Sequence, residues 1–567
     1  MTSVKAAGVR WAVPGYALIL ALAVTAPLLA PGYLLIRDAV STPRSYLTDA
    51  ALGIGENAPR AVPQDFAIAV ISAVVDGGIV VKALLIAGLF LAGWGAGRLA
   101  RQLLPDAGVP GQLVATTVAI WNPYVAERLL QGHWSLLLGY GCLPWVAGSV
   151  IRLRDGTAAP PSGPPGWAAV ACWMALAGLT PTGLIMAGVV ALVCARPVRR
   201  AWAVLGIAGA AAVPWLTAAA VGSALGVPQT AGLAPFAARA EPGLGTLGSL
   251  AGLGGIWNAE AVPHSRATGF AVIGTVALLA VVAFGIPVIL RRGAGEPLLM
   301  LAAVAVLLPA AMATGPGMTA LRAGVETLPA LAVVRDAQKW VALAMPAYAL
   351  AGAAAVLALR RWLRPAAAAL ACCVAVLVAL PDLAWGVGGA LRPVKYPPGW
   401  AVAAGQVNAD PQPVAVLPAG TMRRFPWSGS APVLDPWPRW VRAEVLTTGD
   451  LTIGGKTVAG EGSHAREVQR LLEAGSDPAT LARAGVGWLV VQRGTPGDLG
   501  GADRVLRQLS PSYTDPDIAL YRIGGSSSAA PQDKRMLSIA AHLVWAVLLL
   551  GSGAALAGSA LRRGRQP

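Results

Sequence analysis

Long apolar stretches recur through most of this 567-residue chain, and many are close to the length that crosses a lipid bilayer. A membrane-spanning helix needs about 20 mostly apolar residues. The pattern therefore predicts an α-helical polytopic membrane protein with about 12 transmembrane helices. The candidate spans lie near residues 11–35, 79–97, 109–121, 133–151, 167–179, 184–195, 202–223, 267–290, 297–314, 340–359, 365–380 and 536–561.

Composition excludes an ordinary soluble enzyme, because 56% of the residues are hydrophobic and only 12% are charged. A soluble surface usually needs about a quarter charged residues. The net charge of +16 would by itself suggest nucleic acid as a partner. The Lys and Arg residues, however, cluster in every second connection between spans, and such connections mark the cytoplasmic side. We therefore predict a plasma-membrane protein with both termini cytoplasmic and no nucleic-acid partner.

The connections on the opposite side are long, and they define the predicted domain organisation. Residues 1–385 form the transmembrane domain, residues 386–535 an extracytoplasmic domain, and residues 536–567 the last span with a basic cytoplasmic tail. The outer loops of the transmembrane domain are residues 36–77, 221–266 and 315–339. Most of the sequence that can carry chemistry therefore lies on the predicted outer side.

The extracytoplasmic domain alternates helical and strand patterns. Residues 414–418 and 488–492 are short apolar runs typical of buried strands. Residues 464–474 have an apolar stripe at helical spacing, with Ser463 as a predicted N-cap. Alternation of this kind predicts a small α/β domain with a partly parallel sheet.

Residues 423–442 are rich in Trp, Pro and Arg and fit no regular element. Trp faces stack on sugar rings, so this segment is one candidate for a carbohydrate site. The alternative is a proline-braced loop that packs on the sheet.

Common catalytic signatures are missing from the sequence, which contains no HExxH, GxSxG, Walker A or paired metal-ligand cysteines. Residues 243–248 match GxGxxG, but no predicted strand precedes them, so a dinucleotide site is not expected. The five cysteines all lie in apolar stretches and are predicted to be small buried hydrophobes. The four histidines are scattered and are predicted to be structural.

The first outer loop carries two carboxylates of interest, Asp38 at the end of the first span and Asp65 before a short apolar stretch. Residues 66–75 are too few to span and predict a helix at the membrane interface, for which Asp65 would be the N-cap. A carboxylate at this surface can act as a base or bind a divalent cation such as Mg²⁺ or Mn²⁺. Asp38 and Asp65 are therefore candidate catalytic residues, with Asp38 the candidate metal ligand.

The third outer loop ends with Arg335 and Lys339, four residues apart and thus on one face of a helix. Two cations at the membrane surface can bind a lipid phosphate, with Trp340 as an interfacial aromatic. Snorkelling of the two basic side chains is the alternative. A further cluster holds Glu127 and Arg128 after an Asn-Pro break, where a short helix could shape a lipid groove or form an ordinary turn.

These features resemble the GT-C glycosyltransferases, multi-spanning enzymes that use polyprenyl-phosphate sugars and carry acidic residues in a first outer loop. The Arg335-Asp336-x-x-Lys339-Trp340 element is similar to a segment of arabinofuranosyltransferases that build mycobacterial-type cell envelopes. The sequence that ends at Trp257 and Asn258 is similar to loop sequence of related membrane proteins. The resemblance covers residues 1–385. The acidic pair that follows the first span in many GT-C members is absent, because Arg37 and Ala39 flank Asp38.

The resemblance implies sugar transfer from a polyprenyl-phosphate donor to a cell-envelope glycan or glycolipid, next to membrane lipids. Asp38 and Asp65 would be catalytic and Arg335 and Lys339 would bind the donor phosphate. The expected substrate-binding residues are Trp340, Glu127, Arg128, Trp257 and Asn258. Two alternatives remain open, a flippase for lipid-linked precursors and a non-catalytic scaffold. A flippase would predict charged spans or an internal repeat; no repeat is evident, and apart from Lys82 the spans carry almost no charge.

Overall fold

The computed structural model describes residues 2–56, 58–155, 164–222, 230–453, 455–526 and 530–564. Residues 223–229 of the second outer loop and residues 565–567 of the basic tail lie outside the described residues.

The apolar stretches form helices, joined by shorter helices in the loops. The helices before the α/β domain are α1 (Thr2–Thr25), α2 (Gln64–Ile71), α3 (Gly77–Leu103), α4 (Gly108–Ile120), α5 (Pro123–Leu130), α6 (Trp134–Asp155), α7 (Pro164–Ala177), α8 (Pro181–Cys194), α9 (Val198–Val221), α10 (Gly245–Ala251), α11 (Phe270–Arg292), α12 (Glu296–Met312), α13 (Gly315–Thr327), α14 (Met345–Leu359), α15 (Pro365–Val378) and α16 (Ala384–Gly389). The last of these is a left-handed turn rather than a regular α-helix, because Trp385 to Gly388 all have positive φ.

Full-length spans are fewer than the sequence predicts. Within the described residues, seven helices are long and apolar enough to cross a membrane, or up to nine if each of two sharply bent pairs is one span. The bends are 93° after α12 and 73° after α15. Helices α4, α7 and α8 have only 13, 14 and 14 residues, which is about 20 Å of helix. These three are too short for a full crossing, so the structure does not reach the predicted 12.

The centre of the membrane domain is built around α6 and the span Ala337–Leu359, whose apolar windows are 94% and 89% buried. Small residues bring the backbones together there: Gly88 of α3 and Gly141 of α6 lie against each other with no room for a Cβ atom. Both central spans begin at the end of the membrane domain that faces the α/β unit. The residues just before them, near 133 and 336, therefore lie at the same end of the membrane domain.

The first predicted outer loop is an ordered structure. Strands β1 (Tyr33–Ile36) and β2 (Ala39–Val40) pair as a hairpin, and β1 also pairs with β3 (Pro393–Val394). The apolar stretch at 66–75 gives the shorter helix α2, and Pro63 rather than Asp65 is its N-cap. Asp65 lies in the first turn, so the capping prediction was wrong by two positions.

Residues after 393 form a second folded unit. Its helices, with the final span, are α17 (Pro398–Ala409), α18 (Trp437–Trp440), α19 (Ser463–Ala474), α20 (Pro478–Arg483), α21 (Ala502–Leu506) and α22 (Gln532–Gly564). Its strands are β4 (Val414–Leu417), β5 (Met422–Arg423), β6 (Val433–Leu434), β7 (Leu451–Ile453), β8 (Lys456–Val458), β9 (Trp488–Gln492), β10 (Pro511–Thr514) and β11 (Ile518–Arg522).

The main sheet of this unit has the strand order β10-β11-β9-β4. Strands β4 and β9 run parallel, with Val416 opposite Val490, while β11 is antiparallel to β9. Their side chains are almost all buried, as expected for strands covered on both faces. The mixed sheet agrees with the alternation of helix and strand patterns in the sequence.

The Trp-rich segment belongs to the core of this unit. Trp437 and Phe425 are 1% and 2% exposed, and both pack against Trp400 from α17. The faces of these two rings are therefore covered by protein and are not open to a sugar. The proline-braced, packed alternative describes these residues.

Candidate functional site

A cleft of about 1980 Å³ lies between the membrane domain and the α/β unit. It is lined by most of the predicted site residues: Asp38, Asp65, Trp257, Asn258, Arg335 and Lys339. Three others, Glu127, Arg128 and Trp340, do not line it. Residues from four distant parts of the chain thus meet around one cavity at the end of the central spans.

Asp38 sits in the tight turn between β1 and β2, with its side chain 38% exposed. Its Oδ2 atom accepts hydrogen bonds from Nε2 of His133 at 2.8 Å and from Nε2 of Gln131 at 3.1 Å. Gly132 makes this approach possible, because its φ is +82° and a Cβ atom there would collide with the backbone of Ile36 and Ala39. The turn that carries Asp38 is therefore packed directly on the segment that carries its partners.

The residue before Asp38 fixes the turn. Arg37 has a φ of +46°, which is costly for a residue with a side chain. Its buried guanidinium donates to the carbonyl oxygens of Leu130 at 2.6 Å and Glu260 at 2.5 Å, and its backbone pairs with the strand that contains Val433. A second carboxylate at this position could not donate these hydrogen bonds, which accounts for the lack of an acidic pair.

His133 is held in one tautomer. Its Nδ1 atom is 3.1 Å from a guanidinium nitrogen of Arg128, which is always a donor. Nδ1 must therefore accept, and Nε2 carries the proton that is donated to Asp38. Burial lowers the pKa of His133 below its ordinary value, although the bond to Asp38 opposes this shift. The imidazole is accordingly neutral at physiological pH.

The ionisation of Asp38 follows from these partners. Burial alone would raise the pKa of its carboxyl, but the bonds from His133 and Gln131, together with the charge of Lys339, hold that pKa below its ordinary value. No hydrogen bond within the described residues ends on Oδ1 of Asp38. The carboxylate is thus charged at neutral pH and keeps one oxygen available to a ligand.

Arg128, which the sequence predicts to bind substrate, is buried in the structure and does not line the cleft. Its guanidinium is fully buried and binds both carboxylate oxygens of Asp336 at 2.9 Å. Burial opposes ionisation of Asp336, but Arg128 and Lys339 hold its pKa well below the ordinary value. Nζ of Lys339 lies 3.6 Å from Asp336. Arg128 therefore connects the segment that carries Lys339 with His133 and, through it, with Asp38.

Glu127, also predicted to bind substrate, is buried and does not line the cleft. Its carboxyl accepts from the backbone N–H groups of Gly255 at 3.2 Å and Ile256 at 3.1 Å, and from Nε2 of Gln338 at 3.0 Å. Burial and the neighbouring Glu241 raise the pKa of Glu127 well above its ordinary value. Glu127 thus holds the loop just before Trp257 in place.

That loop presents its side chains to the cleft. Asn258 donates to Oε1 of Gln131 at 2.8 Å, next to the Asp38 turn. Trp257 packs edge-on against Phe236, with ring centroids 4.6 Å apart, and the guanidinium of Arg335 lies 4.6 Å from the Phe236 centroid. Trp257, Asn258 and Arg335 therefore form one wall of the cleft.

Arg335 and Lys339 do not share a helix face, because the chain from 329 to 344 forms two short 3₁₀ segments that meet at Arg335 and Asp336. Both side chains still line the same cleft. Burial, with a contribution from Arg60, lowers the pKa of Arg335 to about 10, so the guanidinium remains charged at neutral pH. Two cations thus stand on the wall next to Asp38.

Two further predicted residues, Asp65 and Trp340, make contacts with other parts of the protein. Asp65 pairs with Arg439 of the α/β unit, with carboxylate-to-guanidinium distances of 3.2 and 3.3 Å. Trp340 packs against the apolar core of the membrane domain and does not line the cleft. Asp65 is therefore committed to an ion pair across the cleft, while substrate binding by Trp340 stays a prediction.

The residues around Asp38 do not fit a divalent cation held by the protein alone. Within the described part of the chain, no three His, Cys, Asp or Glu side chains are grouped to ligate a metal. Nε2 of His133 points a proton at Asp38, and Lys339 adds a positive charge nearby. We therefore derive no chemical step through a metal ion.

Sequence reasoning missed His133, Gln131, Asp336 and Gln338. Local sequence does not distinguish His133 from the other three histidines, because its partner Asp38 lies in a turn 95 positions away. The one local signal was Gly132, a glycine directly before a histidine at the start of a span.

The arrangement of spans, loop-borne carboxylate and cleft defines a GT-C-like fold. Among solved structures, the chain is similar to the arabinofuranosyltransferase AftD from mycobacteria, determined by single-particle cryo-electron microscopy, with a TM-score of 0.54 and 15% sequence identity. The match covers 92% of this chain and 40% of that chain, so this protein spans less than half the length of its neighbour. No family model matches the chain. No curated protein matches it.

Proposed function

We propose that this protein is a membrane glycosyltransferase that moves a sugar from a polyprenyl-phosphate donor to a cell-envelope glycan or glycolipid at the outer face of the plasma membrane. The observation that carries the proposal is the ionised Asp38 in a cleft whose neighbouring wall holds Lys339 and Arg335. The GT-C-like fold and the similarity to an arabinofuranosyltransferase support it.

In the proposed reaction, the oxygen of an acceptor hydroxyl attacks the anomeric carbon of the donor sugar, and Asp38 accepts the proton of that hydroxyl. The bond from that carbon to the phosphate oxygen breaks, and the polyprenyl phosphate leaves with the bonding electrons. Lys339 and Arg335 stabilise the negative charge that develops on the phosphate. His133 orients Asp38 and does not itself exchange a proton with substrate.

The orientation in the membrane is part of the proposal. The basic connections support cytoplasmic termini, and the cleft with the α/β unit would then lie outside. Lipid-linked donors would enter from the membrane, close to the ends of the central spans where Lys339 is held.

The test is sugar transfer by the purified full chain in proteoliposomes that contain a radiolabelled polyprenyl-phosphate arabinose and an arabinan acceptor. Asp38→Asn should reduce the rate by about 10²- to 10⁴-fold, the usual contribution of a positioned base. The matched control is Asp106→Asn, because Asp106 is a 61% exposed carboxylate away from the cleft. Transfer by Asp38→Asn at the wild-type rate would remove Asp38 from the mechanism.

A flippase remains the second candidate. Lys82 is the charged residue within a span that favours it, but its Nζ donates to the carbonyl of Ala30 at 3.0 Å and so has a structural partner. Movement of the labelled lipid across the bilayer without sugar transfer would favour this candidate over the enzyme.

A further inference from the structure

The turn between α2 and α3 exposes a group of apolar side chains. Val70 and Ile71 at the end of α2 are 51% and 41% exposed, and Val74 in the turn is 88% exposed. Helix α3, which is long and apolar enough to cross a membrane, begins at Gly77. Apolar residues exposed next to the start of a span face lipid near the head groups. The turn therefore lies at the membrane surface, at the end of the membrane domain that faces the α/β unit.

Arg44 of the first loop is held at the level of this turn. Its Nη1 atom donates to the carbonyl oxygen of Ala69 at 2.7 Å and to the hydroxyl of Ser72 at 3.2 Å. Ala69 lies in the last turn of α2 and Ser72 is its C-cap, a position where a cation is favourable. Nε and Nη2 of Arg44 make no hydrogen bond within the described part of the chain, so these two donors can bind a ligand.

A second arginine, Arg442 of the α/β unit, is held near Arg44 by the ring of Tyr46. The guanidinium carbon of Arg44 is 5.2 Å from the ring centroid of Tyr46, and that of Arg442 is 5.1 Å from the same centroid. The backbone N–H of Tyr46 also donates to the carbonyl oxygen of Arg439 at 3.3 Å. Two guanidinium groups from different units of the protein therefore meet around one aromatic ring.

The carboxylates of this region are bound to other groups. Asp65 pairs with Arg439. Asp76, which follows the exposed turn, caps α3 and accepts from the Tyr33 hydroxyl at 2.8 Å. Among the residues that the structure describes, neither Arg44 nor the exposed Arg442 has a carboxylate partner. Two positive charges therefore remain uncompensated beside an apolar surface.

The charges and the apolar surface together define the ligand. Arginine binds phosphate oxygens through its paired N–H donors, and basic residues at a membrane surface attract anionic lipids. Arg44 and Tyr46 do not line the cleft that holds Lys339, so this site is distinct from the one proposed for the donor phosphate. A dissolved phosphate ion would gain nothing from the exposed Val74, whereas the acyl chains of a lipid would cover it. A phospholipid with a net negative charge fits both features.

We propose that Arg44 and Arg442 bind the phosphate of an anionic phospholipid in the leaflet that faces the α/β unit, with its acyl chains against Val70 and Val74. Arg442 also lines the cleft, so the bound lipid would connect the rim of the cleft with the membrane. This site is independent of the proposed function, because it involves neither Asp38 nor a sugar.

The test measures binding of phosphatidylglycerol to the purified full chain in mild detergent by native mass spectrometry, with phosphatidylcholine as the neutral lipid. The wild type should bind phosphatidylglycerol more tightly. Arg44→Gln combined with Arg442→Gln should weaken that binding by about 10- to 100-fold, the usual effect of hydrogen bonds to a charged group, and leave phosphatidylcholine unaffected. The matched control is Arg470→Gln with Arg507→Gln, which removes two exposed arginines of the α/β unit that do not line the cleft.

Arg442→Gln alone keeps the test decisive if the loss of Arg44 disturbs α2, because the Arg442 side chain donates no hydrogen bond within the described residues. This single variant should weaken phosphatidylglycerol binding by about 3- to 10-fold. Unchanged affinity in the double variant, or an equal loss in the control pair, would overturn the proposal. Displacement of the lipid by inorganic phosphate would show a site for a free ion instead. Tighter binding of polyprenyl phosphate than of phosphatidylglycerol at these arginines would assign them to the donor, and would also overturn it.

Discussion

At the scale of single residues, the site depends on a chain of contacts that runs from Asp336 through Arg128 and His133 to Asp38. The steps are 2.9, 3.1 and 2.8 Å long. The direction of each hydrogen bond is fixed. Arg128 can only donate, so Nδ1 of His133 accepts and Nε2 of His133 donates to Asp38. The carboxylate of Asp38, the candidate base, is thus oriented by contacts that lie within the protein.

His133→Ala should move the acid limb of the transfer profile to higher pH. Asp38 acts as a base only when ionised, so activity is present above its lowered pKa and is lost as pH falls through it. Without the hydrogen bond from His133, burial raises that pKa and the loss begins at higher pH. The measurement is kcat/KM of transfer against pH. His133→Gln, which keeps an N–H donor, is the control, and an unmoved acid limb in His133→Ala would contradict the positioning role.

Lys339→Met should weaken use of the donor. A hydrogen bond to a charged group contributes about 1.5 to 3 kcal/mol, so KM for the polyprenyl-phosphate sugar should rise about 10- to 100-fold, with KM for the acceptor unchanged. Steady-state transfer with each substrate varied in turn measures both values. Lys456→Met, at an exposed lysine that does not line the cleft, should behave as wild type. A rise in acceptor KM alone would place Lys339 elsewhere in the mechanism.

At the scale of elements, the membrane domain and the α/β unit are joined by hydrogen bonds at a helix end as well as by ion pairs. The N-terminus of α19 is the clearest example. Glu56 of the first loop accepts from the Ser463 hydroxyl at 2.8 Å and from the backbone N–H of His464 at 3.0 Å. Gly462 is the N-cap position, so the carboxylate of Glu56 supplies the cap that Ser463 was predicted to provide.

Glu56→Gln should lower stability by about 1 kcal/mol, the usual value of a helix cap with its favourable interaction with the helix dipole. The measurement is hydrogen exchange of the α19 amides in the reconstituted protein, where opening of the first turn should become faster. Glu467→Gln, a change of the same kind within α19, should leave the first-turn amides unaffected. Equal exchange in both variants would show that Glu56 does not hold this helix.

How far the sequence predicts these elements depends on the range of the interactions. The apolar stretches at 134–155 and 345–359 and the strand at 488–492 were predictable, because their patterns are local. The burial of Glu127 and Arg128 was not, because it results from loops at 253–258 and 336–338 that fold over them. The Asp38 turn was predicted as a candidate, but its partner His133 is defined only by the tertiary fold.

At the scale of the whole molecule, we interpret the net charge of +16 as a prediction of orientation in the membrane, because the Lys and Arg residues cluster in every second connection between spans. Basic residues gather on one side of the membrane domain, while those facing the cleft are largely paired with carboxylates across it, such as Arg439 with Asp65. The two cations proposed to bind a donor phosphate, Lys339 and Arg335, therefore lie in a cleft whose other basic residues are largely paired.

The orientation predicts which ends of the chain an impermeant reagent reaches. In a cysteine-free variant, a cysteine introduced at the exposed Lys456 of the α/β unit should react with an impermeant maleimide in intact cells. A cysteine at the exposed Arg562, beyond the last span, should react only after the cells are opened. The reverse pattern would place the cleft in the cytoplasm and would exclude transfer at the outer face.

The pairing of β1 with β3 joins residues 33–34 to residues 393–394, and the backbone of Arg37 pairs with Val433. During synthesis, the turn that bears Asp38 is therefore made long before strand β3 and Val433, which support it. A nascent or truncated chain that stops before residue 393 carries every span up to α15 yet lacks the strand that supports this turn. The support of the Asp38 turn, and with it the completed cleft, therefore forms only once the segment from residue 393 onward has folded against the first loop.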